Sequence, residues 1–164
     1  VLKRSRAIDE DLVALLHHYR GTPPRGSRWR LVVAGDFIDF IGITIVPRAS
    51  TTVRTELSAE EKRHGLGNTA DHARAKLDRV ASRHADVFEA LAHWVADGHA
   101  LTLVHGNHDV EFHWDDVKEG FKSALAHHAR SAGRVADDGA EARFRQRVEF
   151  HPWFFYVGGV AYIE

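Results

Sequence analysis

The sequence contains no cysteine and no methionine among its 164 residues. Without cysteine, disulfide bridges and thiolate metal sites are excluded within this sequence, so a metal ion would be bound by oxygen atoms and imidazole nitrogens. An excess of charge is also lacking, since 22 basic residues face 23 acidic ones. The chain as a whole therefore has no field that attracts nucleic acid or an anionic membrane, although a local patch is not excluded. Nor does any apolar run approach the length of a membrane span.

The apolar residues that are present recur in patterns typical of an α/β protein. Helical spacing predicts three helices, over residues 8–19, 69–97 and 115–133. Short uninterrupted apolar runs predict two strands buried on both faces, at residues 31–34 and 99–105. Residues 147–164 predict two further strands joined around Gly158-Gly159. This order predicts a layered α/β architecture with a mixed sheet, in which ligands bind outside the carboxyl ends of the strands.

A first polar cluster, "GDFIDF", follows the first predicted strand. Gly35 allows a sharp turn and a close approach, and Asp36 and Asp39 lie three residues apart in the loop. Asp is common in turns, so two loop-capping carboxylates would explain this cluster taken alone.

A second cluster, "GNHD", follows the second predicted strand. Asn107 offers a neutral carbonyl oxygen to a cation, and His108 can donate or accept a proton near neutral pH. Asp109 could accept a hydrogen bond from that imidazole and fix its tautomer. A polar turn with an Asp N-cap is the alternative, but four such residues directly at a strand end favour a functional site.

Carboxylate, amide and imidazole groups at two neighbouring strand ends suit Mn, Fe, Zn or Mg. Two such cations, held about 3.5–4 Å apart by a bridging carboxylate, would stabilise both the attacking and the leaving oxygen of an in-line displacement. Hydrolysis of a phosphate ester is the reaction that this arrangement favours.

These two blocks, separated by a long helix, resemble the second and third signature blocks of the calcineurin-like metallophosphoesterases. The resemblance implies a layered α/β/β/α sandwich with mixed sheets and two divalent metal ions, with Mn favoured. It implies that Asp36 bridges both metals and that Asn107 binds the second one. His108 would contact the scissile phosphate and assist the leaving oxygen, and Asp109 would orient His108. Asp39 would hold a His ligand that belongs to the family's first block.

Three of the family's blocks do not occur in this sequence: an Asp-x-His before the first helix, a later single His, and a Gly-His-x-His. We therefore expect residues 1–164 to be the central part of one metallophosphoesterase domain. We also expect that this segment alone, with at most two of the metal ligands, is inactive and does not assemble a complete dinuclear centre.

Several features bear on the substrate. The apolar residues after "GDFIDF" and the stretch "EFHW" resemble the branch of UDP-2,3-diacylglucosamine diphosphatases, which are bacterial hydrolases of a lipid-linked pyrophosphate. That resemblance implies a phosphorylated small-molecule or lipid-linked substrate and a cytoplasmic location, with peripheral contact at the membrane surface left open. The charge pattern gives no strong signal for nucleic acid. A non-catalytic domain of the same fold, which binds a partner or acts as a scaffold, is the alternative.

Residues beside the two blocks have two interpretations each. His113 and Trp114 would contact substrate, or they would cap the start of the next helix. Residues 41–57 would form a lid over an apolar substrate, or an extra strand or packed loop. Ser58 and Glu61 predict a capping box at the start of a short helix.

Overall fold

The computed structural model describes residues 2–48 and 53–163, which form a mixed α/β protein with a small parallel sheet. The helices are α1 (Leu2–Gly21), α2 (Ala59–His64), α3 (Ala70–Arg83), α4 (Ala85–Ala96), α5 (Asp115–Ser131) and α6 (Asp138–Gln146). The strands are β1 (Arg30–Ala34), β2 (Ala100–Val104), β3 (Val148–His151), β4 (Phe154–Val157) and β5 (Val160–Ile163). A 3₁₀ helix spans Val110–His113.

The central sheet has the order β1-β2-β3 and is parallel throughout. β2 lies in the middle, and four of its five residues are buried, as its uninterrupted apolar run predicts. β1 lies at the edge of the described sheet and is only half-buried, so the expectation of burial on both faces is wrong for the described residues. Antiparallel pairing occurs separately, between β4 and β5 around Gly158-Gly159, which confirms the predicted turn. The prediction of two strands and one mixed sheet is wrong for the described residues, because β3 precedes this pair and joins the parallel sheet, while β4 and β5 form a second sheet. Both of these glycines have positive φ, which this tight turn requires.

The helix predicted over residues 69–97 is two helices, and the break between them is at His84. His84 has φ −109° and ψ 41°, which are not helical dihedral angles. Its Nδ1 lies 2.7 Å from Oδ2 of Asp9 on α1, and α1 packs against α4. The apolar periodicity continues across the break, so it could not indicate that the helix axis changes there.

An aromatic cluster lies in the core beneath the carboxyl end of the sheet. The ring of Phe112 has its centroid 5.6 Å from that of Phe40, 5.8 Å from that of Phe121 and 5.0 Å from that of Phe150. The ring of Phe37 lies 6.0 Å from that of Phe121. Both phenylalanines of "GDFIDF" therefore point inward and anchor the loop that carries the two aspartates.

The segment after this loop has no helix or strand in its described part, residues 41–48. Ile43 packs against the core, whereas Ile41 and Val46 are exposed. The lid hypothesis for residues 41–57 also involves residues 49–52, which lie outside the described residues. The capping box is present, since Ser58 accepts from the amide of Glu61 and the Glu61 side chain accepts from the amide of Ser58.

Candidate functional site

The two polar clusters begin side by side, at the carboxyl ends of β1 and β2. Ala34 at the end of β1 pairs in register with Val104 at the end of β2, and the amide of Gly35 donates to the Val104 carbonyl at 3.0 Å. The strands are parallel, so both chains leave the sheet on the same side. The structure thus brings "GDFID" and "GNHD" together, as the sequence predicted.

Asp36 has an unusual backbone conformation at this edge. Among the described residues it is the one non-glycine residue with positive φ, at 49°, and Gly35 before it has φ 87°. Asp tolerates the left-handed region better than most residues, but the conformation is still strained, and such strain is common at functional sites. The two consecutive positive φ angles, at Gly35 and Asp36, turn the chain so that Asp36 lies beside the loop that follows β2.

Close contact between the loops depends on Gly106. A Cβ atom at this position would collide with Oδ1 and the backbone nitrogen of Asp36. The absence of a side chain lets the Asp36 carboxylate reach the amide of His108, which donates to Oδ1 at 2.9 Å. Sequence reasoning gave Gly106 no specific role, because no pattern in the sequence shows which backbone approaches it.

Asp39 contacts the ring of His108. Its Oδ1 lies 2.9 Å from Nδ1 of His108 and accepts from the amide of Gly42 at 2.8 Å. The hydrogen bond from His108, followed by that from Gly42, holds the pKa of Asp39 below its usual value. Because a carboxylate can only accept, this contact favours the tautomer with the proton on Nδ1. Asp39 therefore contacts the ring that we expected Asp109 to orient.

Asp109 is buried and links the two loops. Only 1% of it is exposed. Its Oδ2 accepts from the amide of Phe37 at 2.8 Å, and its Oδ1 accepts from the amide of Gly106 at 2.5 Å. Bonds from two loops to one carboxylate fix their separation. This linking contact was not foreseen, and the orientation of His108 by Asp109 stays a prediction.

The remaining predicted residues lie around this linked pair of loops. Asn107 is exposed at the tip of the second loop, between buried Gly106 and half-buried His108. His113 and Trp114 are exposed, with ring centroids 4.2 Å apart. The imidazole of His113 donates from Nδ1 to the Val110 carbonyl at 2.8 Å, and the indole of Trp114 donates to the Asn68 carbonyl at 3.1 Å.

These contacts give the two rings a structural role. Trp114 occupies the N-cap position of α5, but its side chain makes no capping hydrogen bond. Its indole instead ties the start of α5 to the segment before α3. Contact of either ring with a substrate stays a prediction.

His105, the residue directly after β2, is buried. Its Nε2 has no hydrogen-bond partner among the described residues. Burial lowers the pKa of His105, with Asp109 acting in the opposite sense. The ring lies 6.0 Å from that of Phe112, centroid to centroid, and so belongs to the packed interior.

The donor set agrees in kind with a hard or borderline metal ion, because Asp36 and Asn107 offer a carboxylate and an amide oxygen at one edge. Within residues 2–48 and 53–163, no group of three or more His, Cys, Asp or Glu side chains is arranged to hold a metal ion. The described part of the chain thus offers two candidate ligands of a metal centre.

A separate cleft of about 660 Å³ lies elsewhere, between α1 and the junction of α3 and α4. Its lining residues include Asp9, Arg83 and His84 but none of the strand-end residues. The cleft is therefore separate from the candidate site that the two strand-end loops form.

No helix in the described part of the chain is both long and apolar enough to cross a membrane. Comparison with known proteins adds no relative: no family model matches the chain, and neither a curated protein nor a solved structure matches it.

Proposed function

We propose that this chain is the central part of a metallophosphoesterase domain, a layered α/β/β/α sandwich that hydrolyses a phosphate ester or pyrophosphate with two divalent metal ions. One observation carries the proposal. The Asp36 carboxylate accepts from the amide of His108, across a contact that only glycine at position 106 permits. The carboxylate of Asp36 and the side-chain amide of Asn107, which resemble metal ligands of the family, therefore belong to two loops that contact each other.

The chemistry assigns a separate task to each side chain. Asp36 and Asn107 would hold the metal ions, and the other ligands would come from residues that this sequence does not contain. When bound, the metals polarise the phosphoryl oxygens and lower the pKa of a water molecule that attacks phosphorus. Mn is favoured, and Zn, Fe or Mg would suit the same oxygen and nitrogen donors.

His108 would act as the proton donor to the leaving oxygen. Asp39 engages Nδ1, so the exchanged proton is carried on Nε2. Only the imidazolium form carries that proton, because Nδ1 keeps its own proton toward Asp39. Asp109 contributes by fixing the loop that carries His108.

The substrate of this proposal is a phosphorylated small molecule or a lipid-linked pyrophosphate, and the location is the cytoplasm, with contact at a membrane surface left open. A non-catalytic binding or scaffolding domain is the second candidate.

The test uses the full-length protein that contains these residues. Metal content is measured alongside turnover of a phosphomonoester, a phosphodiester and a pyrophosphate. We expect Asp36→Ala to lower the metal content and abolish turnover, while the matched change Asp11→Ala, on the exposed face of α1, alters neither. A scaffolding domain would contain no stoichiometric metal and hydrolyse none of the three substrates.

His108→Ala tests the proposed proton donor separately from the proposed metal ligands. We expect the metals to stay bound and kcat to fall by about 10²–10⁴, the range typical of a positioned acid–base group. His127→Ala, an exposed histidine on α5, is the matched control. Wild-type turnover in the metal-loaded His108→Ala protein would contradict the assignment.

A further inference from the structure

Lys76 on α3 is a buried cation. Only 6% of it is exposed, and burial lowers the pKa of its ammonium group, an effect that the charge of Glu111 opposes. Glu111 itself is 4% exposed, and its Oε2 has no hydrogen-bond partner among the described residues. Burying an ammonium group is unfavourable even after the protein relaxes around it. An apolar side chain of similar length would avoid that cost.

Its contact is with the backbone of the first loop. Nζ of Lys76 donates to the carbonyl of Phe40 at 3.1 Å. The amide of Ile43 approaches the same carbonyl at the longer distance of 3.4 Å, so the lysine is the closer donor. The hydrogen bond to the charged donor is also the stronger kind.

Phe40 joins this contact to the candidate site. Its amide donates to two carbonyls, those of His108 and of Ile38, each at 2.9 Å, so Phe40 is held between α3 and the loop that follows β2. Asp39, the residue before it, contacts the His108 ring at 2.9 Å. The position of Phe40 thus sets the position of the carboxylate that faces the imidazole.

We propose that Lys76 is a positioning residue: its hydrogen bond to Phe40 holds the loop 36–40 at the separation from His108 that the chemistry requires. This inference rests on the proposed hydrolytic function. Lys76 acts through Phe40 and Asp39, and it contacts neither metal nor substrate. A misplacement of about 1 Å at such a loop is enough to slow catalysis by about 10²-fold.

The first measurement needs no activity. Amide hydrogen exchange of Phe40 is followed by NMR in the metal-free full-length protein, with the amide of Leu103 in the centre of β2 as the internal reference. We expect Lys76→Met to speed exchange at Phe40 by about tenfold relative to Leu103, because one charge-assisted hydrogen bond is lost. Lys62→Met, which removes an exposed lysine of α2, is the matched control and should change neither rate. Equal acceleration at Phe40 and Leu103 would show a general loss of stability and overturn the proposal.

The second measurement is steady-state kinetics with the substrate found in the screen. We expect Lys76→Met to lower kcat by about 10–100-fold with KM changed by less than about threefold. Lys76→Arg keeps the charged donor and should restore most of kcat. If Lys76→Met speeds amide exchange at Phe40 but not at Leu103 and leaves kcat unchanged, the proposal is overturned. A wild-type protein without metal or turnover would instead refute the hydrolytic function, while exchange at Phe40 would still decide whether Lys76 holds the loop.

Discussion

Asp109→Asn tests the link between the two loops, because it keeps the size of the side chain but removes one acceptor. In the wild-type chain each carboxylate oxygen accepts one backbone amide, from Phe37 at 2.8 Å and from Gly106 at 2.5 Å. In the variant one of these amides faces an NH₂ group. Loss of one such bond at a residue that is 1% exposed should lower the free energy of unfolding by about 1.5–3 kcal/mol. Asp109→Ala loses both bonds and should cost about 3–6 kcal/mol.

The assay is urea denaturation of the full-length protein near neutral pH. Asp137→Asn is the matched control, since Asp137 accepts from the amide of Ala140 at 2.7 Å as the exposed N-cap of α6. Asn caps helices about as well as Asp, so this change should cost less than about 0.5 kcal/mol. If Asp109→Asn costs no more than the control, Asp109 does not hold the two loops together.

Two further predictions concern packing and pH. Gly106→Ala should destabilise the protein by about 1–3 kcal/mol and abolish metal binding, because the new Cβ collides with Asp36. Gly21→Ala is the control and should do neither, because no atom lies within 4 Å of its Cβ. Normal metal content in Gly106→Ala would refute the close approach. Burial lowers the pKa of His99 below 6.5, so the unfolded chain binds more protons, and stability is lost as the pH falls below 6.5. His99→Asn, whose amide oxygen can still accept from the Trp29 amide, should flatten the dependence of the unfolding free energy on pH between about pH 7 and 5. An unchanged slope would contradict this.

The convergence of the two polar clusters was predictable from the sequence because it follows from topology. Two buried apolar runs separated by helix predict parallel strands, and parallel strands end on the same side of a sheet. Asp36 and Asn107 therefore had to lie near each other once β1 and β2 paired. The register of Ala34 with Val104 confirms this pairing.

The contacts inside the site were not predictable in the same way. Lys76 lies 36 positions along the chain from Phe40, and its apolar neighbours on α3 predicted only a packed helix face. Asp39, and not Asp109, is seen at the His108 ring because the carboxylate of Asp109 is turned inward. That is decided by two amide donors to Asp109, Phe37 of the other loop and Gly106 of its own loop, and the first of these contacts is not revealed by the spacing within either block.

The break at His84 had a similar cause. The residues on both sides continue one apolar pattern, so the sequence favours a single helix. The tertiary contact of His84 with Asp9 lies at the break, beside the packing of α4 on α1. Local propensity gives way to tertiary packing at such points.

The central claim is that Asp36 belongs to a metal centre of a phosphoesterase. It is tested most directly by measuring the divalent metal bound per chain in the purified full-length protein and in Asp36→Ala, each equilibrated with Mn²⁺. We expect about two ions per wild-type chain, as a two-metal site requires, and a clear loss in the variant. Equal metal content in the two proteins, or no bound metal in the wild type, would contradict it.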